Sequence, residues 1–123
     1  MSIVTFDQAK RLFQIGFQEM TFGAYWRDSK AFKLFEYDSN WNKTADANGC
    51  YSAPEVHDAL QWFRDEKGIF CTVDMEYYDG IHYFGKFMDI GLKDGGETEE
   101  FNNFPEAESA LLDALLNYLE VKQ

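Results

Sequence analysis

Apolar residues recur along the chain at helical spacing in three places and at period two between them. Phe6, Ala9, Leu12 and Phe13 follow Thr5, and the pattern ends near Gly16. Val56, Ala59, Leu60 and Phe63 occupy i, i+3, i+4 and i+7, and this pattern stops at Gly68. Such spacing gathers each set on one helical face, and a glycine just past the last turn suits the left-handed closing position. Thr5, Ser52 and Asn103 each stand three residues before a Gln or Glu (Gln8, Glu55, Glu106), the spacing of a capping box. Pro54 and Pro105 fall where a missing N–H costs no helical bond. Helices are therefore expected to open at Thr5, Ser52 and Asn103, the last covering residues 104–121.

That last helix carries two apolar stripes. Ala107, Ala110, Leu111, Ala114, Leu115 and Tyr118 form one, and Leu112, Leu116 and Leu119 form a second beside it. An arc this wide calls for two covers: the sheet together with another helix, or the sheet together with a second protomer, which makes this helix a homodimer surface.

Ile69–Tyr78 and Ile81–Ile90 flank Asp79-Gly80, a pair suited to a two-residue type I′ hairpin. If Tyr78 faces Ile81, then Ile69, Cys71, Val73, Met75 and Tyr77 share the buried face with His82, Phe84, Lys86, Met88 and Ile90. Lys86 then lies at a sheet edge and His82 beside the turn, while Thr72, Asp74 and Glu76 face solvent. A second hairpin of poorer alternation is expected over Phe22–Tyr37, turning at Asp28-Ser29. "DSNWNKTADANGCY" (38–51) reads as a loop with Trp41 pinned down, and the acidic "KDGGETEE" as a loop before a short strand around Thr98–Phe101. The expected class is α+β, in the order α-β-β-α-β-β-(β)-α, within one domain over residues 1–123. Helix–hairpin subunits would span 5–37 and 52–90.

Charge alters the picture because it is uneven. Residues 1–51 hold six basic and six acidic side chains, whereas residues 52–123 hold five and sixteen, which accounts for the whole net charge of −11. A surface of that sign repels phosphate, so direct binding to nucleic acid or to an anionic membrane is disfavoured. The opening residues lack a basic apolar leader, and no run is long enough to span a bilayer. Cys50 and Cys71 have neither metal-ligand nor disulfide-framework spacing. A reducing cytoplasm is the expected setting.

Candidate chemistry is sparse. Motifs for nucleotide binding, zinc hydrolysis or a serine nucleophile are absent, and no cofactor is called for. His57 and His82 are the histidines available to a small enzyme with an acidic pocket. Asp94, Glu97, Glu99 and Glu100 lack the ordered oxygen spacing of a calcium loop, and Cys71 points inward. The aromatic load is the positive signal, since 12 Phe, 7 Tyr and 3 Trp exceed what one small core hides. Tyr25, Trp26, Trp41 and Trp62, with Leu112, Leu116 and Leu119, form the candidate protein-binding surface.

"FDQAKRL", "YSAPEVHDALQWFRDEKGIF" and "FPEAESALLDALLNYLE" together resemble a family of small uncharacterised proteins of Bacteroidetes genomes, often found in prophage or other mobile-element regions. The resemblance implies a bacterial cytoplasmic protein and carries no catalytic residues with it. Two binding roles fit: an accessory module that meets a protein partner, or an acidic decoy that occupies a nucleic-acid-binding defence enzyme.

Overall fold

The computed structural model describes residues 2–43 and 49–122. It is α+β, with three helices and two three-stranded antiparallel sheets. The elements are α1 (Phe6–Gln14), β1 (Thr21–Trp26), β2 (Phe32–Ser39), β3 (Cys50–Ala53), α2 (Val56–Lys67), β4 (Ile69–Tyr77), β5 (Ile81–Asp89), β6 (Asp94–Glu97) and α3 (Phe104–Lys122). Two compact units divide the chain, one of Ile3–Glu55 and one running on from Val56.

In the first unit the Thr5 capping box is complete in both directions, so two orphan donors of α1 are satisfied reciprocally. At the other end Gly16 takes φ +94°, the Gly16 N–H reaches Phe13 O, and the Phe17 N–H reaches Leu12 O. This is a Schellman closure, and it turns Phe17 into the core. The sheet has the order β2-β1-β3, with the first strand central. The hairpin turns at Arg27–Lys30 with Lys30 in the left-handed region, around the expected Asp28-Ser29. Thr21 pairs with Ser39 and Gly23 with Leu34, so Phe22 alone opposes residues 35–38 of β2. This bulge breaks the period-two pattern and explains its poor alternation in the sequence.

The expected loop over 38–51 is shorter at both ends, because β2 runs to Ser39 and β3 begins at Cys50. Ser52 does not cap a helix. It is a buried strand residue whose N–H donates to Asn42 Oδ1 and whose Oγ accepts the Asn42 N–H, while Asn42 Nδ2 donates to Phe17 O. A buried hydroxyl with a reciprocal partner is worth more here than a cap. Trp41 is pinned, stacked on Phe35 at 4.2 Å with Nε1 donating to Thr21 O.

In the second unit the Val56 N–H that opens α2 is taken by Ser2 O, and Gly68 closes the helix at φ +65°. Val56, Ala59, Leu60 and Phe63 are buried as a stripe. Asn103 Oδ1 accepts the Glu106 N–H at the start of α3. The sheet is a meander, β4-β5-β6. Asp79 and Gly80 both have positive φ, but the ladder closes on Tyr77 and Ile81, leaving Tyr78 in the turn.

That one-residue difference corrects the expected faces. Ile81, Tyr83, Gly85, Phe87 and Asp89 lie beside Ile69, Cys71, Val73, Met75 and Tyr77, while His82, Phe84, Lys86 and Met88 are on the opposite face. Helix contacts show which side is covered: Leu111 presses on Gly85, Phe87 meets Tyr118 edge-on, and Tyr83 meets Phe104. Lys86 is therefore on the central strand, ion-paired to Asp74 at 2.9 Å on the open face. The register that buries neither Lys86 nor His82 wins, because burying an unpaired charge costs more than leaving Phe84 half-buried and Met88 exposed. The glycine-rich stretch read as a loop is itself strand β6. A Cβ on Gly95 would meet Phe87 O at 2.3 Å, so only glycine permits this approach to β5. Phe101 rejoins the sheet further on by a bridge to Tyr83.

Candidate functional site

The seven candidate surface residues separate. Trp26 is exposed on β1; Tyr25 is half-buried, its hydroxyl donating to Val4 O and its ring packed on Phe6 and Phe32. Trp41 and Trp62 are buried, the latter edge-on to Phe63 with the Lys67 ammonium over its ring. Leu112 and Leu116 are fully buried and Leu119 is half-buried. Helix α3 packs on β4, β5 and α2, so the second apolar stripe has an intrachain cover. Trp62 is buried together with Val56, Ala59, Leu60 and Phe63, so the covered face of α2 is wider than those four residues.

The first unit exposes other apolar side chains: Met20, Phe22, Phe32, Leu34 and Tyr37, beside Trp26. Most lie on or against β2, an outer strand of its sheet, where Phe22 is 52 % exposed, Leu34 60 % and Tyr37 61 %. The sequence signal for them is present in "FKLFEY", whose aromatic content is high on both strand faces and therefore cannot all be buried by one layer.

The second unit holds a cleft of about 360 Å³ lined by His57, Leu60 and Arg64 of α2, Phe70–Val73 of β4, and Phe104 and Glu108 of α3. His57, Leu60 and Arg64 share a helical face, as do Phe104 and Glu108. Arg64 Nη1 donates to Cys71 O at 2.9 Å and approaches Cys71 Sγ at 3.8 Å, while the thiol donates to Leu60 O. Burial pushes the Cys71 thiol pKa up, with Arg64 partly offsetting it. A thiol held protonated is a poor nucleophile. Burial also raises the Glu108 pKa, against the lowering effect of His57.

His82 stands apart at the hairpin tip, stacked on Tyr78 with Nδ1 3.7 Å from Glu100, which also accepts the Tyr78 hydroxyl. Of the acidic quartet, Asp94 and Glu97 are on β6 and Glu100 is engaged by Tyr78. Among the described residues no helix is long and apolar enough to cross a membrane. Comparison with known proteins returned no matching family model, no matching curated protein and no matching solved structure.

Proposed function

We propose that this chain is a non-enzymatic protein-binding module, an accessory protein of the mobile-element kind that its sequence resemblance implies. The observation that carries the reading is the exposure of Phe22, Leu34 and Tyr37 on and against a bulged outer strand, with Met20, Phe32 and Trp26 also exposed in the same unit. Large apolar groups left in water on this sheet forgo stabilisation that a partner would restore. Binding is favoured over catalysis because Cys71, the thiol lining the cleft with His57, is buried and held protonated.

The test is affinity capture from the native host with the wild-type chain and with a Phe22→Ser, Leu34→Ser, Tyr37→Ser triple variant. The expected result is a discrete partner that the wild type retains and the variant loses at an unchanged thermal midpoint. Identical capture by both would refute the reading. The acidic-decoy version predicts in addition that the partner is a basic nucleic-acid enzyme and that capture collapses as salt rises.

A further inference from the structure

β4 is an outer strand of its sheet, and the aim of its backbone groups follows from β5. Gly85 O accepts the Thr98 N–H, the Gly85 N–H donates to Thr98 Oγ1, and Tyr83 and Phe101 exchange backbone bonds in both directions. The odd-numbered residues of β5 therefore turn their amides away from β4. Opposed antiparallel residues alternate between bonded and non-bonded pairs. The even-numbered residues of β4 thus bond β5, while Ile69, Cys71, Val73, Met75 and Tyr77 aim outward.

Two side chains agree with this phase. Arg64 Nη1 donates to Cys71 O at 2.9 Å, and Asp74 Oδ1 accepts the Met75 N–H at 2.9 Å. Each sits where a group of an adjoining strand would sit. Between them, among the described residues, Val73 O receives only Thr72 Oγ1, at 3.5 Å, which is beyond ordinary hydrogen-bond length.

The cleft follows this same stretch, with Phe70 and Phe104 supplying exposed rings. The half-buried Glu108 carboxylate has His57 as its electrostatic neighbour in the cleft, and among the described residues no hydrogen bond holds it. The surrounding segment, residues 56–123, holds fifteen acidic side chains against five basic ones.

We infer that the outer edge of β4 docks an extended peptide segment of a partner, alternating apolar and basic residues, that pairs with Val73 and sets a lysine or arginine against Glu108. Arg64 and Asp74 are placeholders that an incoming main chain replaces. Strand addition draws affinity from main-chain bonds and specificity from side-chain pockets, and the acidic field disfavours an acidic segment. The inference rests on the reading of the chain as a protein-binding module.

The probes are three fluorescein-labelled nine-residue peptides: one alternating valine and lysine, its fully N-methylated counterpart, and one alternating valine and glutamate. In anisotropy titrations with the full chain, the valine–lysine peptide is expected to bind at micromolar concentration. Methylation and the exchange to glutamate should each weaken it about tenfold or more. Val73→Pro removes an outward N–H and no ladder bond, and is expected to weaken binding to a similar degree. Absence of binding, equal binding after methylation, or equal binding to Val73→Pro overturns the inference. Persistence of capture through Phe22, Leu34 and Tyr37 while the peptide fails would remove this groove alone; loss of both would remove the module reading as well.

Discussion

Gly85 of β5 lies directly beneath Leu111 of α3, so closely that a Cβ at position 85 would come within 2.6 Å of the Leu111 Cβ. Leu111 is fully buried and has no space to retreat into. Gly85→Ala is therefore expected to destabilise by about 1–3 kcal/mol through overpacking. A urea midpoint equal to that of the wild type would show that α3 can shift off the sheet without loss.

The register of the second hairpin predicts opposite outcomes at adjacent positions. Phe87→Lys places a charge against Tyr118 on the helix-covered face and should cost about 3 kcal/mol or more. Met88→Lys lies on the open face, 47 % exposed, and should cost about 0.5 kcal/mol or less. The reverse ranking in chemical denaturation would restore Tyr78 opposite Ile81.

Asn42 serves three backbone or hydroxyl partners in the first unit, so its removal strands more than its own bonds. Asn42→Ala leaves the buried Ser52 N–H without its acceptor and takes a donor from Phe17 O, at about 2–4 kcal/mol. Ser52→Ala loses one hydroxyl contact and should cost about 1 kcal/mol. Equal thermal midpoints for the two variants would mean that another group replaces the amide.

Tyr118 has its pKa pushed up to about 12, first by desolvation and then by its hydrogen bond to Asp89. Because the folded value lies above the ordinary tyrosine value of about 10, its contribution to stability is complete below that pH and is lost as pH rises toward 12. In ultraviolet titration of the native protein, Tyr118→Phe should remove the last phenolate step. An unchanged profile above pH 11 or so would contradict the assignment.

Leu116 is fully buried within a single chain, so Leu116→Lys should lower stability at every protein concentration. Sedimentation of the wild type should show the 14.3 kDa species. A concentration-dependent dimer that the substitution converts to a stable folded monomer would place the cover in a second copy instead.

What could be read in the sequence was local. Thr5 with Gln8, Gly16, Gly68, Asn103 and the apolar stripes of α1 and α2 state their roles within a few residues, and the structure uses them as written. What could not be read depended on distant choices. Ser52 carries the spacing of a helix cap, yet Asn42 claims it ten residues earlier in the chain. Gly95 and Gly96 look like loop residues until Phe87 comes close enough to require them. The hairpin turn at Asp79-Gly80 is legible, but whether Tyr78 belongs to the strand is settled by where Lys86 and His82 can be tolerated. The candidate surface suffered for the same reason. Aromatic content shows that some rings are exposed, and only the bulge opposite Phe22 shows which.

The central position of β1 governs the order in which the first sheet can assemble. β1 meets β2 across a short turn, with Tyr25 opposite Phe32, but its other side waits for Cys50–Ala53 to return. The meander of the second unit has no such wait, since Tyr77 meets Ile81 and Asp89 meets Asp94 almost at once. Closing a longer loop costs entropy before any contact compensates for it, and distant pairings slow folding. During synthesis the nascent β1–β2 hairpin therefore has one side of its middle strand unpaired until Cys50–Ala53 have emerged. That interval is when this chain is most open to pairing with the wrong strand.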